Sequence, residues 1–408
     1  MKKINNCRFC KSNNLTNVVN LGKQTLTGVF PISPNEKITK GPLILCLCKN
    51  CSLLQLRHSF DLNEMYGKNY GYRSSLNSSM VVHLKNKAIN LKKKYHIKKN
   101  HYVIDIGSND GTFLNFFSGY QNLIGIDPTI KKFKKFYRKE IKKIEDFFPS
   151  NQIEKILNSK KVKLITSISM FYDLENPLQF VENIKNLLDK EGIWHFEQSY
   201  MPSMLKQNSY DTICHEHLEY YSLSIIKKIL NKGGLKILDV DLNDINGGSF
   251  SVTAGHIKSK VKPNNKLINS IINKEKKMNL SNPKIYLDFN NNIKLHKKSL
   301  VRLLKKLKKN KKKVCGLGAS TKGNVILQYC KIDKHLIKNI YEINKDKFNK
   351  FTPGTNIQIL DDKKITKKNC DYLVVLPWHF KDHIVKREKN LKEQGIQFIF
   401  PLPEIEVI

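Results

Sequence analysis

Four cysteines near the N-terminus stand in two CxxC pairs. Cys7-x-x-Cys10 and Cys48-x-x-Cys51 each put two thiols on one tight turn, and two such pairs supply the four ligands of a tetrahedral zinc ion. Cys46 is a near neighbour, but only Cys48 with Cys51 repeats the spacing of the first pair. Four unrelated buried cysteines or a redox dithiol are the alternatives, and no thioredoxin-like βαβ pattern follows that would favour a dithiol. With four protein ligands the predicted zinc is structural.

A glycine-containing turn follows the apolar run Val103–Ile106. Glycines let the backbone approach a ligand closely, and the start of the next helix supplies free N–H groups. Asp127 ends the following apolar run, where a carboxylate can accept hydrogen bonds from a ribose diol. Because a third glycine at the dinucleotide spacing is missing, adenosylmethionine fits better than NAD, and a mere strand-to-helix turn is the alternative. The residues predicted to hold this ligand are Asp105, Gly107, Ser108, Asn109, Gly111 and Asp127.

The segment His215-Glu216-His217 combines two imidazoles with a carboxylate. An imidazole can serve as a general base near neutral pH, and a neighbouring carboxylate can orient it. His215 and His217 stand two residues apart and do not share a helix face, which excludes zinc chemistry of the HExxH type. Ordinary polar packing at a domain junction is the alternative to a catalytic site.

The chain is strongly basic, with 72 Lys and Arg against 35 Asp and Glu among its 408 residues and a formal net charge of +37. Only six of the basic residues are Arg, the side chain suited to bidentate phosphate contacts, and the lysines are spread along the whole chain. Solvated surfaces explain this dispersion better than a nucleic-acid-binding stripe. No apolar segment follows the basic N-terminus, and no run reaches the roughly 18 apolar residues of a membrane span. We therefore expect a cytoplasmic protein, monomeric or homodimeric, without nucleic-acid or membrane partners.

Strand-like apolar runs alternate with amphipathic stretches in two parts of the chain, which predicts the α/β fold class. We predict a zinc module at 1–65, a Rossmann-like domain at 66–250 and a second Rossmann-like α/β domain at 251–408. Helical spacing over 263–312 predicts helices that bridge the last two. The predicted strands are Tyr102–Ile106, Leu123–Ile126, Leu164–Ser167 and Gly192–Glu197 in the first part and Val314–Gly318, Tyr372–Leu376 and Phe398–Phe400 in the second.

Over nearly its whole length the sequence resembles the three-domain, zinc-containing sugar C-methyltransferases of deoxysugar and surface-polysaccharide biosynthesis. The resemblance implies a central class I methyltransferase domain that uses S-adenosylmethionine, and a C-terminal domain that binds a nucleotide sugar. Besides the three motifs above, it includes Leu53–Leu56, Tyr70–Ser75, Glu197, Gly247-Gly248-Ser249, Gly316–Asn324, Pro353-Gly354-Thr355 and Leu376–Phe380.

The family's chemistry is methylation at C3 of an NDP-4-keto sugar through an enolate. On this resemblance His217 is the base, Glu216 its orienting or proton-relaying partner and His215 a supporting contact. Tyr70 or Tyr72 is expected near the sugar, and Ser74 or Ser75 near the methionine moiety. The ketone matters because a histidine cannot deprotonate an unactivated sugar C–H.

The Gly316–Asn324 loop after the first strand of the C-terminal domain is predicted to bind a diphosphate through backbone amides, with Lys322 nearby. A tight turn alone is the alternative. Predicted substrate contacts are Lys322, Asn324, Tyr220 and Tyr221.

Two departures from the family's pattern leave the substrate open. Cys214 stands where relatives have Tyr, and Met170–Leu174 replaces a segment that in relatives contains a His. Methyl transfer to oxygen or nitrogen of a similar sugar is therefore an alternative. A non-catalytic nucleotide-sugar-binding or nucleic-acid-binding protein is the alternative from another class.

Overall fold

The computed structural model describes residues 1–66 and 70–408. The N-terminal part is built on antiparallel strands, and a short helix follows them. Its elements are β1 (Lys2–Lys3), β2 (Leu15–Thr25), β3 (Lys40–Cys48), β4 (Leu54–Leu56), β5 (His58–Ser59) and α1 (Leu62–Met65). Strands β2, β3 and β4 pair in chain order, and β1 pairs with β5. β3 is buried along most of its length, because the module packs on other parts of the chain rather than around a core of its own.

The central part alternates strands and helices. Its elements are α2 (Ser78–Lys94), β6 (Tyr102–Ile106), α3 (Thr112–Asn115), β7 (Asn122–Ile126), α4 (Ile130–Phe133), β8 (Lys142–Ile144), α5 (Asn151–Leu157), β9 (Val162–Ile168), α6 (Pro177–Leu187), β10 (Leu188–Ser199), α7 (Met201–Lys206), β11 (Glu219–Tyr220), α8 (Leu223–Lys232), β12 (Leu235–Asn243) and β13 (Ser249–His256).

Seven of these strands form one sheet in the order β12-β13-β10-β9-β6-β7-β8, and only β13 runs against its neighbours. The four predicted strands of this part are confirmed as β6, β7, β9 and β10. Since β13 pairs with both β10 and β12 as far as Ala254, the sheet continues past the predicted domain boundary at residue 250.

The C-terminal part begins with the two predicted bridging helices. Its elements are α9 (Asn265–Met278), α10 (Pro283–Lys309), β14 (Val314–Leu317), α11 (Thr321–Cys330), β15 (Ile340–Glu342), β16 (Ile359–Asp361), β17 (Tyr372–Val375), α12 (Lys381–Arg387), α13 (Lys389–Glu393), β18 (Gln397–Phe400) and β19 (Glu406–Val407). The six strands form a sheet in the order β16-β15-β14-β17-β18-β19, parallel except for β19. The predicted α/β class with two Rossmann-like sheets is confirmed.

Several contacts join these parts. β11 leaves the central part to pair with β4 in the N-terminal sheet. α9 buries Ile268 and Ile271 in the core of the central domain, whereas α10 packs on β2 and on the C-terminal sheet. Within residues 1–66 and 70–408, none of the helices combines the length and the apolar character needed to cross a bilayer.

Candidate active site and zinc site

The four predicted zinc ligands lie together. The sulfur atoms of Cys7, Cys10, Cys48 and Cys51 all fall within 4.8 Å of one another. Such a four-thiol cluster has the ligand number and chemistry of a closed structural zinc site. Gln55 lies next to the cluster, with its side-chain amide 3.2 Å from the Cys7 sulfur. The donor set therefore fits zinc as predicted, without a ligand position for a substrate.

Arg8, inside the first CxxC pair, links the zinc site to the rest of the molecule. Its side chain is only 2% exposed. The guanidinium donates to the Leu56 carbonyl (2.6 Å) and to Glu175 (3.2 Å), and it lies 3.7 Å from the carboxylate of Glu219 in β11. β11 begins two residues after His217, so the zinc-binding turn contacts the end of the HEH segment. Sequence patterns did not single out Arg8.

The predicted adenosylmethionine cradle forms at the carboxyl ends of β6 and β7. Gly107 and Gly111 have φ of 73° and 76°, a region that disfavours other residues. A Cβ on Gly107 would lie 2.9 Å from Met170, and one on Gly111 would lie 2.6 Å from the Tyr137 ring. The Asn109 amide donates to the Asp127 carboxylate at 2.9 Å, so the two predicted strand ends are joined.

The segment Ser74–Leu76 closes over this turn. The amide of Ser74 donates to Asn109 Oδ1 and the amide of Ser75 to Asp110 Oδ2, both at 3.0 Å. This contact places the two predicted serines beside the cradle. Asp110 was not singled out from the sequence, although it follows Asn109 in the turn.

Two other predicted cradle residues support the turn with their side chains. The Asp105 carboxylate accepts a hydrogen bond from Thr166 at 2.6 Å, and burial raises the pKa of Asp105 to about 7. The Ser108 hydroxyl lies 2.7 Å from the hydroxyl of Tyr137, which itself donates to the Asn109 carbonyl. Tyr137 was missed because nothing in its local pattern marks it; it reaches the turn from 28 residues further along the chain.

Glu197 lies near the end of β10 and is held by residues of α2. Its carboxylate lies 2.6 Å from His83 Nε2 and 2.8 Å from Lys87 Nζ, and these partners hold the pKa of Glu197 at about 2 despite its burial. The cluster fixes α2 against the central sheet. His83 and Lys87 were not singled out from the sequence.

His217 is held in one orientation. Its Nδ1 lies 2.8 Å from the backbone carbonyl of Thr212, which can only accept, so Nδ1 carries the proton and Nε2 is free to take one. The ring lies 4.2 Å, centroid to centroid, from the ring of Tyr172. Burial, aided by the charge of Lys322, lowers the pKa of His217 to about 3.

Glu216 is buried beside the N-terminal module. Its carboxylate lies 3.5 Å from the Thr27 hydroxyl, and a side chain at Gly28 would collide with it. Burial raises its pKa, whereas a hydrogen bond from the Cys214 thiol opposes the rise. The Cys214 departure therefore places a small donor against Glu216.

His215 turns to different surroundings. It is fully buried, its ring packs edge-on against Phe60 at 4.6 Å, and burial lowers its pKa to about 4. The predicted supporting role of His215 is thus one of packing against the N-terminal module.

The two tyrosines considered for the sugar site differ. The ring of Tyr70 lies 5.3 Å from that of Tyr66, whose hydroxyl donates to Asp173 at 2.9 Å. Burial raises the pKa of Tyr70, and the charges of Asp127 and Glu216 add to the rise. Tyr72 is 46% exposed, and its carbonyl lies 3.5 Å from the Asn109 amide.

Two predicted substrate contacts, Tyr221 and Asn324, are fully buried. The Tyr221 ring is fully buried in the central core, where it stacks on Phe171. Asn324 is also fully buried, and its amide donates to the Thr27 carbonyl at 2.7 Å, so it joins two parts of the chain. Tyr220 lies in β11, 4% exposed, with its hydroxyl unpaired and Glu216 among the charges that act on it.

The predicted diphosphate loop is also largely committed to internal bonds. The amide of Gly318 donates to the Tyr341 carbonyl, and the amide of Ala319 donates to the Glu342 carboxylate, both at 2.7 Å. These amides do not point to a ligand. Lys322 remains available: it is half-buried, and its ammonium donates to the Asn246 carbonyl at 2.5 Å.

Comparisons with known proteins agree with this architecture. Three family models match in succession: a zinc binding domain at residues 7–66, a methyltransferase domain at 82–240 and a C-methyltransferase C-terminal domain at 244–403. The chain is similar to the C-methyltransferase NovU of Streptomyces niveus, with 26% identity over 414 residues, covering 100% of this chain and 98% of NovU.

Solved methyltransferase structures are more distant. An S-adenosylmethionine-dependent methyltransferase from Clostridium acetobutylicum is 14% identical with a TM-score of 0.33, covering 42% of this chain and 90% of its own. One from Aquifex aeolicus is 18% identical with a TM-score of 0.31, covering 44% and 97%. Both scores are too low to bear on function. The zinc-ligand cluster, the strand order and the three successive domains together make this chain a three-domain, S-adenosylmethionine-dependent C-methyltransferase.

Proposed function

We propose that the chain methylates C3 of a nucleotide-activated 4-keto sugar, in the cytoplasm, as a step of deoxysugar or surface-polysaccharide biosynthesis. The observation that carries the proposal is the orientation of His217. Its Nδ1–H is committed to the Thr212 carbonyl, so Nε2 is the basic nitrogen of the ring, which packs against Tyr172. A carbon nucleophile must first lose a proton, and a positioned imidazole base can remove a proton next to a ketone.

In this proposal each part of the chain has a role. The turn at Gly107–Gly111, with Asp127 and Ser74, holds S-adenosylmethionine, which supplies an electrophilic methyl group when bound. His217 removes the C3 proton, and Glu216 and the packed His215 keep its segment in place. Tyr70 and Tyr220 line the sugar side. The zinc module supports the HEH segment through β11, and the C-terminal domain covers the nucleotide sugar.

The test is product analysis with methyl-labelled S-adenosylmethionine and a panel of NDP-4-keto-6-deoxysugars. Carbon–carbon coupling between the labelled methyl group and C3, seen by NMR, is the expected result. His217→Gln should lower turnover by about 10²–10⁴-fold, the usual contribution of a general base. His335→Gln, an exposed histidine on the C-terminal domain, is the matched control and should keep full turnover.

Other outcomes would count against the proposal. A methyl group found on oxygen or nitrogen, or turnover of a sugar without the keto group, would replace C3 methylation by the alternative chemistry. Near-wild-type turnover of folded His217→Gln would remove His217 as the base.

A further inference from the structure

Lys322 lies in the first turn of α11, directly opposite the HEH segment. Ser320 caps this helix by accepting from the Gly323 amide at 2.9 Å, which fixes the direction in which the helix begins. α11 packs against the Tyr210–Thr212 turn that holds His217. A Cβ on Gly28, which touches Glu216, would also lie 3.4 Å from the Thr321 hydroxyl. The start of α11 is therefore one wall of the site that contains the base.

Among the residues that the structure describes, the ammonium of Lys322 has no ion-pair partner. Within residues 1–66 and 70–408, no carboxylate lies within 4 Å of it. Asp211, whose charge acts on it most, is bonded to Trp378 Nε1 at 2.7 Å, and burial raises the pKa of Asp211. The one bond of Lys322 goes to a neutral carbonyl, that of Asn246. Two N–H donors of a positive group thus remain free.

The charge of Lys322 acts on two histidines, one of which is the proposed base. The positive charge of Lys322 adds to burial in lowering the pKa of His217 and of His379. Both effects favour the neutral form of the two imidazoles, and although burial also lowers the pKa of Lys322, the charge of Asp211 opposes that change. Because the amides of Gly318 and Ala319 are bonded within the C-terminal domain, the surroundings of Lys322 do not form an amide-lined diphosphate pocket.

We propose that Lys322 binds the C4 oxygen of the substrate and stabilises the negative charge that develops there, rather than holding the diphosphate. The inference rests on the proposed function. The C3–H bond breaks and its proton goes to Nε2 of His217. Its electron pair forms the C3–C4 double bond, and the carbonyl π electrons move to the oxygen, which accepts hydrogen bonds from the ammonium. The pair returns when C3 bonds to the methyl carbon and the C–S bond of the sulfonium breaks.

Such a donor acts where charge develops, so its removal should slow formation of the enolate more than it weakens ground-state binding. If Lys322 instead held the diphosphate, its removal should weaken ground-state binding more than it slows formation of the enolate. The reason is that a group that binds the phosphates stabilises substrate and transition state alike. The two roles are therefore separated by measuring the proton-abstraction step and nucleotide affinity independently.

The experiment follows C3–H to C3–D exchange of a saturating NDP-4-keto-6-deoxysugar in D2O, without S-adenosylmethionine, for wild type, Lys322→Met and Lys322→Gln. Nucleoside diphosphate affinity is measured by calorimetry on the same proteins, and S-adenosylmethionine affinity and circular dichroism report folding. Lys334→Met, an exposed lysine beyond the same helix, is the matched control.

We expect Lys322→Met to lose exchange by about 10²–10³-fold, the range for removal of one oxyanion donor, with diphosphate affinity changed less than about twofold. Exchange at the wild-type rate with weakened diphosphate affinity would overturn the inference and return Lys322 to the phosphates. Should Lys322→Met not fold, Lys322→Gln decides by the same two measurements. Absence of exchange in wild type across the panel would instead refute the proposed function, on which the inference rests.

Discussion

At the scale of single residues, the tautomer and the charge of His217 are set by two neighbours. The Thr212 carbonyl fixes the proton on Nδ1, and burial together with Lys322 lowers its pKa to about 3 from an ordinary value near 6.5. A base whose pKa is lowered stays unprotonated at all physiological pH values. It is a weaker base for that reason, and in the proposed mechanism the charge of Lys322 on the substrate oxygen compensates.

We expect ¹⁵N NMR of histidine-labelled protein to show His217 as a neutral imidazole at pH 5, with the signal assigned by its loss in His217→Gln. As the pH falls, His217 takes up a proton in the unfolded chain near pH 6.5, but in the folded protein only near pH 3. This residue therefore makes the fold less stable as the pH falls from about 6.5 towards 3. A midpoint near 6.5 for the His217 signal in the folded protein would contradict the burial argument.

The residues of the site could be predicted from the sequence, but the orientations of their side chains could not. Cysteine spacing predicted all four zinc ligands, since short CxxC turns bring the thiols together locally. In the HEH segment the pattern indicated catalysis for all three residues. The structure turns His215 to Phe60 and Glu216 to Thr27, because each neighbour comes from a distant part of the chain.

At the scale of secondary-structure elements, β11 connects the zinc turn to the HEH segment. Arg8 lies between Leu56 at the end of β4 and Glu219 in β11. Loss of one partner from a buried ion pair leaves the other without compensation, which costs about 3–5 kcal/mol. Arg8→Met should therefore lower the urea midpoint of unfolding markedly, and Glu219→Gln in the same protein should restore part of it. Arg302→Met, on the exposed face of α10, is the control.

An unchanged midpoint in Arg8→Met would show that the Arg8 contacts are unimportant for stability. No recovery in the double variant would show that Arg8 acts through Leu56 and Ser59 instead of through Glu219.

The long strands were predictable as elements because they are continuous apolar runs buried on both faces. β11 was not, since two residues with no periodicity become a strand only through pairing with β4. α3 is similar: the pattern predicted a helix after the glycine turn, and the structure has four helical residues there. Short elements of this kind are determined by distant partners and not by local propensity.

At the scale of the whole molecule, the proposed site draws on all three parts. The central part supplies the cradle, the N-terminal module holds β11 and contacts Glu216, and the C-terminal part supplies Lys322. Removal of zinc should therefore abolish turnover while S-adenosylmethionine affinity, which depends on the central sheet, falls much less.

The measurement is zinc content, turnover and calorimetric S-adenosylmethionine affinity of the same sample before and after chelation, with zinc added back. Full turnover in zinc-free protein would contradict the supporting role of the module. A parallel loss of both functions would show that zinc stabilises the central domain itself.

The contact between Asn324 and Thr27 has a further consequence for recombination. Chimaeras that exchange C-terminal domains between relatives, as a way to obtain new methylated products, would place a foreign α11 against a native N-terminal module. The same exchange would separate Trp378 from Asp211. A crossover at the α9–α10 linker preserves neither of these two contacts. We expect functional hybrids only when the residues on both sides of these two contacts are compatible. Compatibility at the domain interfaces, and not domain identity, therefore limits which products can be engineered.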